Sequence, residues 1–175
     1  MGVISQNILL ERRIPKNIPN TPDLSPLDQI DFDLVRLLQQ NARLSNKELA
    51  ARVGLAESST LTRVRHLEAR GVLRGYHAEV APAAVGIALQ ALIAVRLTRH
   101  AREIVERFRQ HCRTLPSVIM AYNIGGTDDF LVHVGVRDAE ALRELILTSI
   151  STRPEVAHIE THLVFDVVRG PASVG

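Results

Sequence analysis

Apolar and polar positions follow two different periods along this chain, and the change from one to the other comes near residue 80. In the first part the period is helical. Ile30, Leu34, Leu37 and Leu38 line one face. Ser25, Pro26 and Asp28 ahead of them have the order of an N-cap, a first-turn proline and an N3 carboxylate, which predicts a helix ending near Gln40. A shorter helix begins at the capping-box pair Ser45 and Glu48, flanked by Leu44 and Leu49 as a hydrophobic staple. Leu49, Ala50 and Val53 form its buried side and Gly54 its stop. A third helix is expected from about Glu57 to Arg70, with Leu61, Val64 and Leu67 inward and Gly71 as terminator. Val72 to Val80, interrupted by Gly75, reads as a short strand or wing.

The second part changes period. Ile87 to Thr98, Val118 to Ile124, Phe130 to Val136 and Val156 to Val168 read as strands. Between them lie two helical stretches: Arg102 to Cys112, through Ile104, Val105 and Phe108, and a second capped by Asp138 and bearing Leu142, Leu145 and Ile146. The order is βαββαβ, an antiparallel sheet with both helices on one side. Leu89, Ala91, Ile93 and Val95 alternate with Gln90, Leu92, Ala94 and Arg96, so the first strand is apolar on both faces. A second subunit is the simplest cover for the face the helices leave bare.

The fold class expected is therefore α+β. An N-terminal winged helix-turn-helix with a linker strand spans residues 25–80, and a ferredoxin-like βαββαβ domain spans 81–170. Residues 1–24 form a flexible extension punctuated by Pro15, Pro19 and Pro22, and 171–175 a tail. The extension is either a plain leader or an arm reaching a partner subunit or DNA through Arg12, Arg13 and Lys16.

Composition narrows the picture only a little. Tryptophan is absent and aromatics make up 3% of the chain, so Leu, Ile, Val and Ala must build the cores. A net charge of +2 says nothing about nucleic acid by itself, so that argument rests on where the charges sit. The one cysteine, Cys112, excludes an intrachain disulfide and a cysteine-built zinc site. With no secretory signal and no apolar run able to span a bilayer, a cytoplasmic protein without membrane contact is expected.

Placement of the polar residues makes the third helix the candidate reading element. With its apolar stripe inward, Ser58, Ser59, Thr62, Arg63 and His66 lie toward solvent. An arginine donates two hydrogen bonds to guanine, hydroxyls donate or accept, and the helix start offers free amides to a phosphate. Lys47, Arg65, Arg70 and Arg74 are the candidate phosphate contacts. Each is also readable as ordinary solvated surface. Asp28, Asp31 and Asp33 are best placed facing away from a DNA backbone.

Four segments together resemble the Lrp/AsnC family of transcriptional regulators, the leucine-responsive or feast/famine regulators. These are LDQID from Leu27, RLSNKELAARVGL from Arg43, RVRHLEARGV from Arg63 and the later glycine-to-aspartate loop. The resemblance covers about residues 25 to 170. It implies binding to double-stranded DNA, and a second domain that senses a small molecule, usually an amino acid. It also implies a homodimer formed through the sheets and assembled further, as a tetramer or octamer. The effector site it implies lies between dimers at the loop Gly125 to Phe130, with the G-x-x-D pattern on Gly126 and Asp129 and with Asn123, Gly125, Thr127 and Asp128 as neighbours. Chemically, a glycine admits a ligand to the backbone, amides take a carboxylate and Asp129 takes an ammonium group. A tight hairpin turn accounts for the same composition. Two departures stand out: Ala56 replaces the serine that many relatives place at the N-cap of the reading helix, and the N-terminal extension is longer than usual.

Enzyme readings have less to work with. His66, His77, His100, His111, His133, His158 and His162 show no HExxH spacing, and His158 and His162 share only a sheet face. Some haem-biosynthesis decarboxylases share the overall fold, but tetrapyrrole-binding loops are not evident here. A sensing or structural protein without specific DNA binding is the other alternative. No catalytic residue, metal or cofactor is expected.

Overall fold

The computed structural model describes Asp23 and residues 25–168. The expected arm residues Arg12, Arg13 and Lys16 and the tail 171–175 lie outside these. Chain contacts divide it into two units, one running to Ala78 and the other from Glu79.

The first unit has three helices: α1 (Gln29–Gln40), α2 (Asn46–Val53) and α3 (Glu57–Ala69). Their core is Leu34, Val35, Leu38, Leu49, Leu67 and Leu73. α1 starts later than the sequence pattern suggests. Asp28 is itself the N-cap, accepting from the Asp31 N–H at 2.8 Å, while Ser25 bonds back to Asp23. A carboxylate next to the first free amides outcompetes a more distant serine for the cap. α2 has the expected ends: Ser45 and Glu48 form a reciprocal capping box, and Gly54 closes the helix at φ 71°.

α3 is rotated relative to the expected stripe. Thr60, Val64 and Leu67 face inward at i, i+4 and i+7, and Leu61 is exposed. Burying Thr60 leaves no unpaired hydroxyl, because it donates to the Ala56 carbonyl at 3.1 Å. Ala56, the N-cap, has no side-chain cap bond. Asn46 donates from Nδ2 to the Glu57 carbonyl at 2.6 Å, which ties the start of α3 to α2 but leaves its first amides without a side-chain acceptor. The expected strand or wing after Gly71 has no β-ladder among the described residues. Gly75 interrupts it at φ 146°, and Tyr76 anchors it instead through a 2.8 Å bond to Glu68.

The second unit follows the order β1 (Leu89–Leu97), α4 (Arg102–Thr114), β2 (Val118–Asn123), β3 (Phe130–Val136), α5 (Ala139–Glu144) and β4 (Val156–Val164). α5 runs on into a π-helical turn, Leu145–Ile150. The sheet order is β2-β3-β1-β4, antiparallel throughout. Ala91, Ile93 and Val95 stand opposite Val134, Val132 and Phe130. These residues bury one sheet face with Phe108, Cys112, Leu142, Leu145 and Ile150, and the Phe108 and Phe130 rings lie 4.9 Å apart. Met120 and Tyr122, paired with His133 and Leu131, are about half exposed. β4 is shorter than expected: beyond Val164 the chain leaves the ladder, and Phe165 and Val168 are exposed.

Candidate nucleic-acid interface and sensing loop

α3 places Ser58, Ser59, Thr62, Arg63 and His66 around one shallow concavity of about 510 Å³. Rotation of the helix onto Thr60 and Leu67 leaves this polar face outward. The uncapped start at Ala56 leaves its first amides without a side-chain acceptor, so they remain able to meet an anion. Lys47, Arg65 and Arg74 are exposed and make no ion pair among the described residues.

Two arginines depart from the expected arrangement. Arg70 is 8% exposed. Its guanidinium donates to the carbonyls of Asp23 and Ser25, and its Nε lies 3.3 Å from Asp23 Oδ2. Buried at the end of α3, with Nη2 taken up by carbonyls of the segment ahead of α1, it is withdrawn from the surface that a phosphate would meet. Arg63 Nη1 donates to Asp28 Oδ2 at 2.7 Å and to Asp31 Oδ1 at 2.8 Å. These carboxylates therefore face α3, beside the candidate reading surface, where the sequence reading had them facing away from a DNA backbone. The Asp31 amide and the Arg63 guanidinium hold the Asp28 carboxyl below its ordinary pKa, and the two carboxylates raise that of Arg63.

The β2–β3 connection keeps Asn123, Gly125, Gly126, Thr127, Asp128 and Asp129 contiguous, but they do not all face one way. Asp129 is 5% exposed. Its Oδ2 accepts the Leu97 N–H at 2.7 Å and its Oδ1 lies 2.6 Å from His100 Nδ1. The Asp129 N–H donates to the Val95 carbonyl, and the Asp129 carbonyl accepts from Asn123 Nδ2 and the Ile124 N–H. Asp129 is therefore an anchor of the loop, and the expected grip of its carboxylate on an ammonium group does not fit this geometry. Arg96 adds a second clamp, with Nε donating to the Thr127 carbonyl at 2.8 Å and Nη2 lying 3.7 Å from Asp128. What remains outward is the backbone from Gly125 to Thr127, with Gly126 at φ 133°. Asn123 also lines a depression of about 340 Å³ with Arg109, Arg113, Val118 and Ala121.

The sequence reading missed Asn46, Arg96 and His100. Each acts on a residue distant in sequence, and no local pattern marks such pairs.

Comparison with known proteins decides the family. A winged helix-turn-helix DNA-binding family matches residues 27–74, and the Lrp/AsnC ligand binding domain family matches residues 90–172. This chain belongs to the Lrp/AsnC family. Lrp/AsnC relatives include the HTH-type transcriptional regulator AldR of Mycolicibacterium smegmatis, 42% identical over 82% of this chain and 84% of its own length. The leucine-responsive regulatory protein of Escherichia coli is 32% identical over 82% and 87%. A solved transcriptional regulator from Neisseria meningitidis, in complex with L-Met, superposes with a TM-score of 0.76 at 31% identity, covering 86% of this chain and 97% of its own. The Lrp/AsnC chain is thus a DNA-binding transcriptional regulator with a small-molecule ligand-binding domain. The α+β class and the helix-turn-helix followed by a ligand-binding domain agree with the sequence reading.

Proposed function

We propose that this Lrp/AsnC regulator reads double-stranded DNA through the outward face of α3 and is modulated by an amino acid or related metabolite. The observation that carries the reading is the single concavity formed by Ser58, Ser59, Thr62, Arg63 and His66 on α3. Lys47, Arg65 and Arg74 supply charge to phosphates around it, and Ser58, Ser59, Thr62 and His66 supply donors and acceptors to base edges. The DNA-binding domain extends over residues 25–80, and the sensing and oligomerisation domain over 81–170.

In the sensing domain the backbone from Gly125 to Thr127 takes the effector carboxylate, a grip suited to exposed amides that no side chain screens. The neighbour solved with L-Met supports an amino-acid class of ligand. Half-exposed Met120 and Tyr122 and their surroundings are covered by a second copy, and the homodimer assembles into a tetramer or octamer. Effector binding between dimers then favours one arrangement of the reading heads and changes DNA affinity or geometry. The protein works in the cytoplasm and catalyses no reaction; no described helix is long and apolar enough to cross a membrane.

The test is binding to the upstream DNA of the protein's own gene against a scrambled duplex, at several salt concentrations, with and without pooled amino acids. Selective binding altered by the pool is expected. Selective binding that the pool leaves unchanged removes the sensing role, and failure to select any genomic fragment at low salt removes the DNA reading.

A further inference from the structure

Arg63 sits on the reading concavity, yet its position in the structure is set by the first unit's own acids. Its Nη1 donates to Asp28 Oδ2 at 2.7 Å and to Asp31 Oδ1 at 2.8 Å. Both acids belong to the start of α1: Asp28 is the N-cap, and Asp31, whose side chain is 12% exposed, lies in the first turn. The sequence separations are 35 and 32 residues, so the contact ties the middle of α3 to the beginning of the domain's first helix.

We infer that Arg63 is a positioning residue for DNA recognition: by gripping Asp28 and Asp31 it sets the rotation of α3 that presents Ser58, Ser59, Thr62 and His66 to DNA. This rests on the DNA reading proposed above and assigns a division of labour within it.

Three observations lead to this role. Two carboxylates against one guanidinium leave a local charge of minus one, so Arg63 is a poor phosphate anchor. The inward stripe of α3 is narrow: Thr60 and Leu67 are buried, Val64 is partly buried against the core and Leu61 is exposed, so a polar tie adds to what apolar packing sets for its roll. The start of the helix has no side-chain N-cap, and the other polar ties of α3 lie toward its two ends: Asn46 to the Glu57 carbonyl at the start, and Glu68 to Tyr76 and Arg70 to the Asp23 and Ser25 carbonyls at the finish. Ties at the ends hold the helix in place but bear least on the reading face, whereas the Arg63 contact acts in the middle of that face and fixes its direction there.

The charge of the clasp gives a test with opposite signs. Asp28→Asn together with Asp31→Asn preserves shape, and Asn retains a capping oxygen at Asp28. The double change removes two negative charges from beside the DNA, which by electrostatics alone tightens binding to any duplex. The clasp has a different consequence: discrimination between selected and scrambled duplex falls by roughly tenfold or more while binding to scrambled duplex holds or tightens. Arg63→Gln is expected to cause the same loss of discrimination. In a scan of operator base pairs that loss is spread over several positions, whereas a direct base reader loses preference at one.

A double-mutant cycle between Arg63→Gln and Asp31→Asn, read on the unfolding equilibrium without DNA, tests the contact itself, and a non-additivity of at least a few-fold is expected. Absence of coupling in a selective wild-type protein overturns the clasp and leaves the proposed function standing. Coupling in a wild-type protein that selects no DNA overturns the proposed function and with it the recognition role. Loss of preference at a single base pair on Arg63→Gln, with discrimination unchanged in the Asp28→Asn, Asp31→Asn protein, makes Arg63 a base reader and overturns the positioning role.

Discussion

The proposed reading face of α3 and the proposed effector loop between β2 and β3 are built on opposite plans. On α3 the side chains point outward and the backbone is enclosed in the helix. Ser58, Ser59 and Thr62 stand on the surface, and the Thr62 hydroxyl returns only to its own helix. In the loop the side chains turn inward: Asp129 is buried, Asp128 lies near Arg96, and the backbone from Gly125 to Thr127 is left facing out. A surface that must distinguish bases needs varied donors and acceptors, which side chains supply. A pocket for the shared end of an amino acid needs fixed amides, which a braced loop supplies.

The largest expected effect strikes the brace. Asp129→Ala leaves the Leu97 N–H without its buried acceptor and is expected to destabilise the second unit by about 2–3 kcal/mol, with Asp129→Asn costing less. Thermal unfolding checks this. If stability is unchanged and only the effector response disappears, Asp129 is a ligand group after all and the contrast between the two sites fails. Next is Gly126→Val. Open space surrounds a Cβ there, so the cost comes from the positive φ alone, about 1–3 kcal/mol, together with a blunted ligand response in calorimetry.

On the other side of the comparison, replacing Ser58 and Ser59 together by alanine is expected to change stability by less than about 0.5 kcal/mol while weakening selective DNA binding by roughly tenfold. A large loss of stability with selectivity retained would make these hydroxyls structural and erase the distinction between the sites. Lys47→Ala should weaken binding to all duplexes alike and make the salt dependence shallower by about one unit of slope, read from titrations at several salt concentrations. The smallest effect is a gain: Ala56→Ser supplies the missing cap of α3 and is expected to stabilise the first unit by about 1 kcal/mol in denaturant unfolding.

Much of the fold was legible in the chain because its signals are local. The Ser45 and Glu48 box, the Gly54 stop, the Phe130–Val136 strand and the Asp138 cap all arise from residues within a few positions of one another. The same holds for the outward polar face of α3, which follows from helical periodicity even though the inward stripe runs through Thr60 where Leu61 was expected. A wing was expected from the alternation after Gly71, but alternation alone supplies no pairing partner, and no ladder forms there among the described residues.

By itself, then, the sequence determined the helices with their caps, the βαββαβ order and the family pattern, since each depends on spacing along the chain. Tertiary structure decided which charged residues remain available for function. Arg63 is held by an aspartate 32 residues away, Arg70 is buried against carbonyls up to 47 residues away, and Asp129 is bound to an amide 32 residues away. The physical reason is the same in each case. A charged group drawn from water must be matched by a partner, and only folding brings a partner from so far along the chain within hydrogen-bond distance.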